Sequence, residues 1–197
     1  MPALNPRLFA PAVMLFLFVT AMILSPENAC AQKKKAKKKA KTEPVEAGIV
    51  IAENQASRYR ILLPSAPTET DRKAAAVLQD YLLQISGAAL PIIGADKHRS
   101  RYEIVLGQND RLDETGVKIN FNALKEDGFV IKTDSLRLII AGGSEKGTLY
   151  GVYSFLEKYL GCRMYSPKVK VIPHRDKITL DKIDDTQVPV ISFRDTH

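Results

Sequence analysis

The sequence predicts an α+β domain: a largely antiparallel or mixed β-sheet with two main helices packed on one face. Three observations predict this. Two segments, 68–87 and 144–161, carry apolar residues at helical spacing behind capping residues. Short β-rich runs surround them without a repeating strand–helix–strand unit. One stretch, "GFVIKTDSLRLIIAGG" (128–143), reads as a hairpin by itself, with strands at 129–132 and 136–141 around Thr133, Asp134 and Ser135.

The elements follow in chain order. Residues 1–31 read as a secretory signal: Arg7, then a 13-residue apolar run from Ala12 to Leu24, Pro26, and the small-x-small triplet Ala29-Cys30-Ala31. The run is too short to span a bilayer comfortably. Cleavage after Ala31 leaves Gln32 as the new N-terminus. Lipidation of Cys30 is the rival, and Glu27 and Asn28 fit poorly before a lipidated cysteine. An uncleaved anchor is a third alternative. The expected location is therefore outside the cytoplasm of a bacterium: periplasmic, cell-surface or secreted.

Residues 32–46 form a lysine-rich linker. Lys33 to Lys41 holds seven lysines, and the whole-chain net charge is +7. From Thr42 onward basic and acidic residues balance at 21 each. The basic character thus belongs to an expected solvated, disordered arm, able to meet a polysaccharide or an anionic surface. It does not point to a nucleic-acid-binding domain. With Cys30 removed, Cys162 has no partner for an intramolecular disulfide.

About 150 residues remain for a core, enough for one domain and short of the roughly 250 of a (β/α)8 barrel. The domain is expected at 47–183, with 184–197 as linker. Runs at 47–54 and 59–65 read as two strands, close enough to form a hairpin. Thr68 and Asp71 make a capping-box pair, Ala74, Val77, Leu78, Tyr81, Leu82 and Ile85 make one apolar stripe, and Gly87 stops the helix. "LPIIG" and "YEIVLG" are further strands, and "QNDRLDETG" is a polar loop. Ser144 N-caps the second helix and Gly161 ends it. "CRMY", "KVKVIP", "KITLDKI" and "VISFRD" read as the last short strands.

The second helix holds Gly147 and Gly151, each costing about 1 kcal/mol against alanine inside a helix. Gly142, four residues, then Gly147-Thr148 comes near the spacing of a phosphate loop. Thr148 stands where that loop needs its lysine. No cofactor or nucleotide site is expected. The glycine pair instead marks a close approach of another backbone, inside the domain or toward a following one.

Other chemistry is thin. His98, His174 and His197 lack ligand spacing, so no metal site is expected. Glycoside hydrolysis needs two carboxyl groups facing one bond. Asp184-Asp185 would point apart on a strand, and Glu126-Asp127 read as turn residues. Cys162 reads as a buried small apolar residue. No catalytic residue is assigned.

The stretch from Asp127 to Pro167 resembles the N-terminal domain of α-glucuronidase-type glycoside hydrolases. It is similar to the version in secreted proteins that carry a DUF4838 domain, and to the domain preceding the barrel of β-N-acetylhexosaminidases. The residues that carry this are "GTLYGVYSFLE", then "GCRMYSP" and "KVKVIPHRDKITL". Met164 stands where this pattern leads one to expect tryptophan. The resemblance implies a non-catalytic α+β accessory module, with a (β/α)8 barrel, absent from this chain, as its partner. It makes 184–197 the link to that barrel and Arg194 a candidate sugar contact, although Asp195 replaces the glycine expected beside it. Two other functions stay open. A longer polypeptide would be a competent α-glucuronidase-like hydrolase. The domain alone would be a carbohydrate-binding or adhesion module.

Overall fold

Leucine and β-branched runs between polar punctuation build the strands. The computed structural model describes residues 48–97, 99–166 and 168–190. The signal segment, the lysine arm, His98, "VISFRD" from Ile191 and Arg194 lie outside the described residues. The elements are β1 (Ile49–Glu53), β2 (Arg60–Leu63), α1 (Glu69–Ser86), β3 (Ile92–Gly94), β4 (Glu103–Leu106), the single turn α2 (Phe121–Leu124), β5 (Phe129–Asp134) and β6 (Arg137–Gly142). Then come α3 (Glu145–Lys158), β7 (Arg163–Met164), β8 (Lys170–Val171), β9 (Lys177–Leu180) and β10 (Asp184–Gln187).

Six strands make one mixed sheet in the order β10–β5–β6–β4–β2–β3. Strands β6, β4, β2 and β3 are mutually parallel, and β5 alone runs against its neighbours. The β5–β6 hairpin forms as its sequence predicts, with the register closing at Asp134 opposite Arg137 and Ser135 in the left-handed region.

The first two strands do not form a hairpin. β1 pairs with β9 in a separate two-stranded sheet, while β2 lies between β3 and β4. Asn54 and Gln55 take positive φ, and the Ser57 hydroxyl donates to the Ile51 carbonyl, so the chain turns away from β1. The reason is burial. Ile61, Leu62 and Leu63 are apolar on both sides of the strand, and only an interior position covers both.

Both helices pack on one face. The Thr68 hydroxyl accepts from the Asp71 N–H, the Asp71 carboxylate accepts from the Thr68 N–H, and Gly87 closes α1 at φ 72°. Ala74, Leu78, Leu82 and Ile85 of α1, with Val152, Phe155 and Leu156 of α3, cover Ile61, Ile104, Ile131 and Ile140. The opposite face is covered as well, which the stripe on α1 does not predict. Leu62, Val105, Val130 and Ile139 pack under Leu112 and Leu124. Leu112 comes from the segment read as a polar loop, which forms a 3-10 turn (Asp110–Glu114), and Leu124 from α2 beyond it.

The expected linker also begins too early. Asp184–Gln187 is the edge strand β10, paired with β5 from Lys132 to Phe129. "DDTQ" has poor strand propensity. Its partners hold it: Asp184 meets Lys132 at 2.8 Å, and Thr133 exchanges hydrogen bonds with Ile183.

Candidate functional site

The head of α3 is the place where the sequence raises the question of a ligand. β6 ends at Gly142 and α3 begins at Glu145, so the loop is two residues long. Several of its polar groups bond to the chain itself. The Ser144 hydroxyl accepts from the Lys146 and Gly147 N–H groups and donates to the Glu126 carbonyl at 2.8 Å. The Gly142 N–H donates to the Thr148 hydroxyl, and the Gly143 N–H to the Gly128 carbonyl at 2.9 Å. A helix N-terminus attracts negative charge. Here the carbonyl oxygens of Glu126 and Gly128 lie against it, bonded to the Ser144 hydroxyl and the Gly143 N–H.

The two glycines meet different neighbours. A Cβ on Gly147 would collide with the Gly128 carbonyl oxygen and lie 3.0 Å from that of Glu126. This is backbone against backbone. A Cβ on Gly151 would lie 2.9 Å from the Ile140 Cγ2 and 3.3 Å from the Phe129 Cβ, which are side-chain atoms of the hairpin. Gly147 therefore admits the turn at 125–128, and Gly151 lets α3 settle onto β5 and β6.

The acidic groups are tied into structure. Glu103 is buried, accepts from Arg111 at 2.8 Å and from the Ser100 N–H at 3.0 Å, and has Arg137 at 3.6 Å. Arg111 also donates to the carbonyls of Ala95 and Lys97, tying the 95–103 loop to the 3-10 turn. Sequence reading missed this pair. The available signal was Glu103 at the head of an otherwise wholly apolar strand, a buried charge in need of a partner.

Asp184 and Asp185 take separate partners. The Asp185 carboxylate accepts from Lys158 at 2.7 Å and from the Tyr159 hydroxyl at 3.0 Å, joining β10 to the end of α3. Burial raises Asp185, but these hydrogen bonds outweigh it and hold the carboxyl below its ordinary range. Asp110 accepts from the Ser65 hydroxyl and N–H, bonds that lower its pKa. Glu126 and Asp127 lie in the turn after α2.

The remaining candidates are structural in their surroundings. Cys162 is fully buried, and burial pushes its thiol up. Tyr59 donates to the Leu136 carbonyl at 2.8 Å, and burial beside Tyr102 raises it to about 12. His174 is exposed, 3.6 Å from Asp176. Among the described residues no group of three or more His, Cys, Asp or Glu side chains is placed to hold a metal. Surface grooves are open. The one along β1, of about 470 Å³, is lined by Ser57, Arg58, Tyr59 and Tyr102, with the Arg58 guanidinium 5.7 Å from the Tyr102 ring centre. Met164, the expected tryptophan position, is half-exposed on β7.

Comparison with known proteins places this arrangement. Its fold resembles that of a family GH115 4-O-methyl-α-glucuronidase with specificity for decorated arabinogalactans, at TM-score 0.53 and 18% identity. The match covers 74% of this chain and 19% of that one. The N-acetyl-β-hexosaminidase of Streptomyces plicatus matches at TM-score 0.48 and 17% identity, over 75% of this chain and 24% of that one. The GH20 β-N-acetylhexosaminidase of Streptomyces coelicolor A3(2) follows at 0.45 and 14%, over 75% and 25%. The chain thus spans about a fifth to a quarter of the length of these solved enzymes. No curated protein matches its sequence. Residues 33–155, more than half of the chain, match the family described as Glycosyl hydrolase family 67 N-terminus, and the chain belongs to that family.

Proposed function

We propose that this chain is the non-catalytic N-terminal accessory module of an exported, α-glucuronidase-like glycoside hydrolase whose chemistry lies in a separate (β/α)8 domain. The observation that carries the reading is the match of residues 33–155 to an N-terminal domain family of glycosyl hydrolases. The geometry supports it. Glycosidases present two free carboxyl groups across one bond. Here Glu103 is held by Arg111, Asp185 by Lys158 and Tyr159, and Asp71 by its helix cap. Export follows from the signal-like residues 1–31, and the arm from Lys33 to Lys41 holds the module near anionic polymer.

The purified chain is expected to release no sugar from aldouronic acids or aryl glycosides. Turnover that survives repurification would overturn the non-catalytic assignment. Amino-terminal sequencing of the exported protein is expected to begin at Gln32. An intact Met1 or a lipidated Cys30 would overturn the cleavage.

A further inference from the structure

Arg58 differs from the other arginines that the fold holds in place. Arg99, Arg111, Arg137 and Arg163 each meet a carboxylate. Arg58 is exposed and meets an aromatic ring instead. Its guanidinium lies 5.7 Å from the Tyr102 ring centre, with one terminal nitrogen 3.5 Å from the Tyr102 hydroxyl. Among the described residues it has no carboxylate partner. The ring beneath it is fixed. Tyr102 packs edge-on against Tyr59 with the centres 5.6 Å apart, and Tyr59 is buried with its hydroxyl on the Leu136 carbonyl. The Tyr102 N–H donates to the Ser100 hydroxyl, and its carbonyl accepts from the Arg60 N–H. A guanidinium seated on a rigid ring has already lost part of the freedom that binding would remove.

Arg58 stands in the groove of about 470 Å³ along β1, a volume within the range that holds a small ligand. Among the described residues it is the only cation in the lining. Val50, Tyr59 and Leu136 give the groove apolar surface, and Ser57 gives it a hydroxyl. The carboxylate in the lining, Glu53, is already paired with Lys177 at 2.9 Å. β1 pairs only with β9, so part of its backbone is available to hydroxyl groups of a ligand. A single fork of N–H donors matches a planar carboxylate, with two parallel bonds. Phosphate and sulfate sites more commonly gather several cations or a nest of backbone N–H groups. An apolar, aromatic wall with a few hydrogen-bonding groups then fits the ring that carries the carboxylate. The groove also lies where β2 and β4 begin, with Arg60 opposite Glu103. β10 runs in the same direction as these strands, so the chain leaves it at the opposite end of the sheet.

We propose that the groove between β1 and Tyr102 binds a carboxylate-bearing sugar of an acidic polysaccharide, with Arg58 as the carboxylate contact. The choice of a sugar rests on the accessory-module reading above. The test is a nuclear magnetic resonance titration of the exported chain with an aldouronic acid, beside the same oligosaccharide with its carboxyl reduced to an alcohol. Saturable shifts are expected at the amides of Ser57, Arg58 and Tyr102 and at the Arg58 side-chain N–H, with the reduced sugar at least about ten-fold weaker. Arg58→Gln is expected to weaken the acid by a similar factor and to leave the rest of the spectrum in place, because Arg58 is exposed. Arg58→Lys is expected to recover only part of the loss, since an ammonium has no fork. Absence of saturable shifts at these positions, or shifts confined to Lys33–Lys41, would overturn the site. Equal binding of the reduced sugar, or an equal response to inorganic sulfate, would overturn carboxylate recognition. The accessory reading fails separately: sugar release by the purified chain would overturn it and leave these shifts unchanged.

Discussion

The two faces of the six-stranded sheet are covered by different means. On one, α1 and α3 lay regular apolar stripes over Ile61, Ile104 and Ile140. On the other, the irregular segment 109–125 covers the sheet with Leu112 and Leu124, and Val117, Ile119 and Phe121 pack partly buried beside them. Polar contacts fasten it as well. Asn109 donates to the Leu62 carbonyl at 3.4 Å, and Arg111 joins Glu103 and the carbonyls of Ala95 and Lys97. A helix satisfies its own backbone, so its cover can be made of side-chain burial alone. A loop on a sheet must find partners for its polar groups.

The difference can be broken first at Arg111. Arg111→Ala leaves Glu103 buried with the Ser100 N–H and, at 3.6 Å, Arg137 as its remaining partners, and is expected to cost about 3–5 kcal/mol in denaturant unfolding. Pairing it with Glu103→Leu should recover most of that loss. A cost below about 1 kcal/mol would show that apolar contact alone holds this face.

The two faces meet at the head of α3, where the turn from α2 crosses Gly147. Gly147→Ala sets a methyl against a backbone carbonyl and is expected to cost about 1–3 kcal/mol. Gly151→Ala meets side-chain atoms and regains about 1 kcal/mol of helix propensity, so its loss should be smaller. Equal midpoints for the two variants would contradict a backbone crossing at Gly147.

On the helical face, Thr68→Ala removes the hydroxyl half of the α1 cap and is expected to cost about 1 kcal/mol, visible as a lowered unfolding midpoint. The smallest effect is at Asp185. Its carboxyl titrates below the unfolded value of about 3.9, so its contribution is present above that pH and is lost as pH falls through the folded value. Asp185→Asn should cost at most about 1 kcal/mol at pH 7 and flatten the stability profile below pH 4. An unchanged acid limb would remove Asp185 from the clamp between α3 and β10.

Much of this was legible because its cause is local. The capping box at Thr68 and Asp71, the stop at Gly87, the cap at Ser144 and the β5–β6 hairpin each follow from residues a few positions apart. The same holds for Thr148, which stands where a phosphate loop needs its lysine. Three features were not legible. β1 leaves the sheet, the segment 109–125 covers a face, and "DDTQ" pairs as β10. In each, the partner lies far along the chain, and nothing in the segment's own periodicity names it.

The sequence by itself determined the elements that propensity, capping and apolar spacing enforce: two helices, a hairpin, a set of short strands and a domain of the Glycosyl hydrolase family 67 N-terminus. Only the tertiary structure decided which strands are neighbours, which face each cover occupies and what stands at the head of the glycine helix. Those outcomes depend on burial shared between distant segments. β2 moves inside the sheet because both its sides are apolar, and Gly147 is bare because the Gly128 carbonyl, nineteen residues back in sequence, closes onto it.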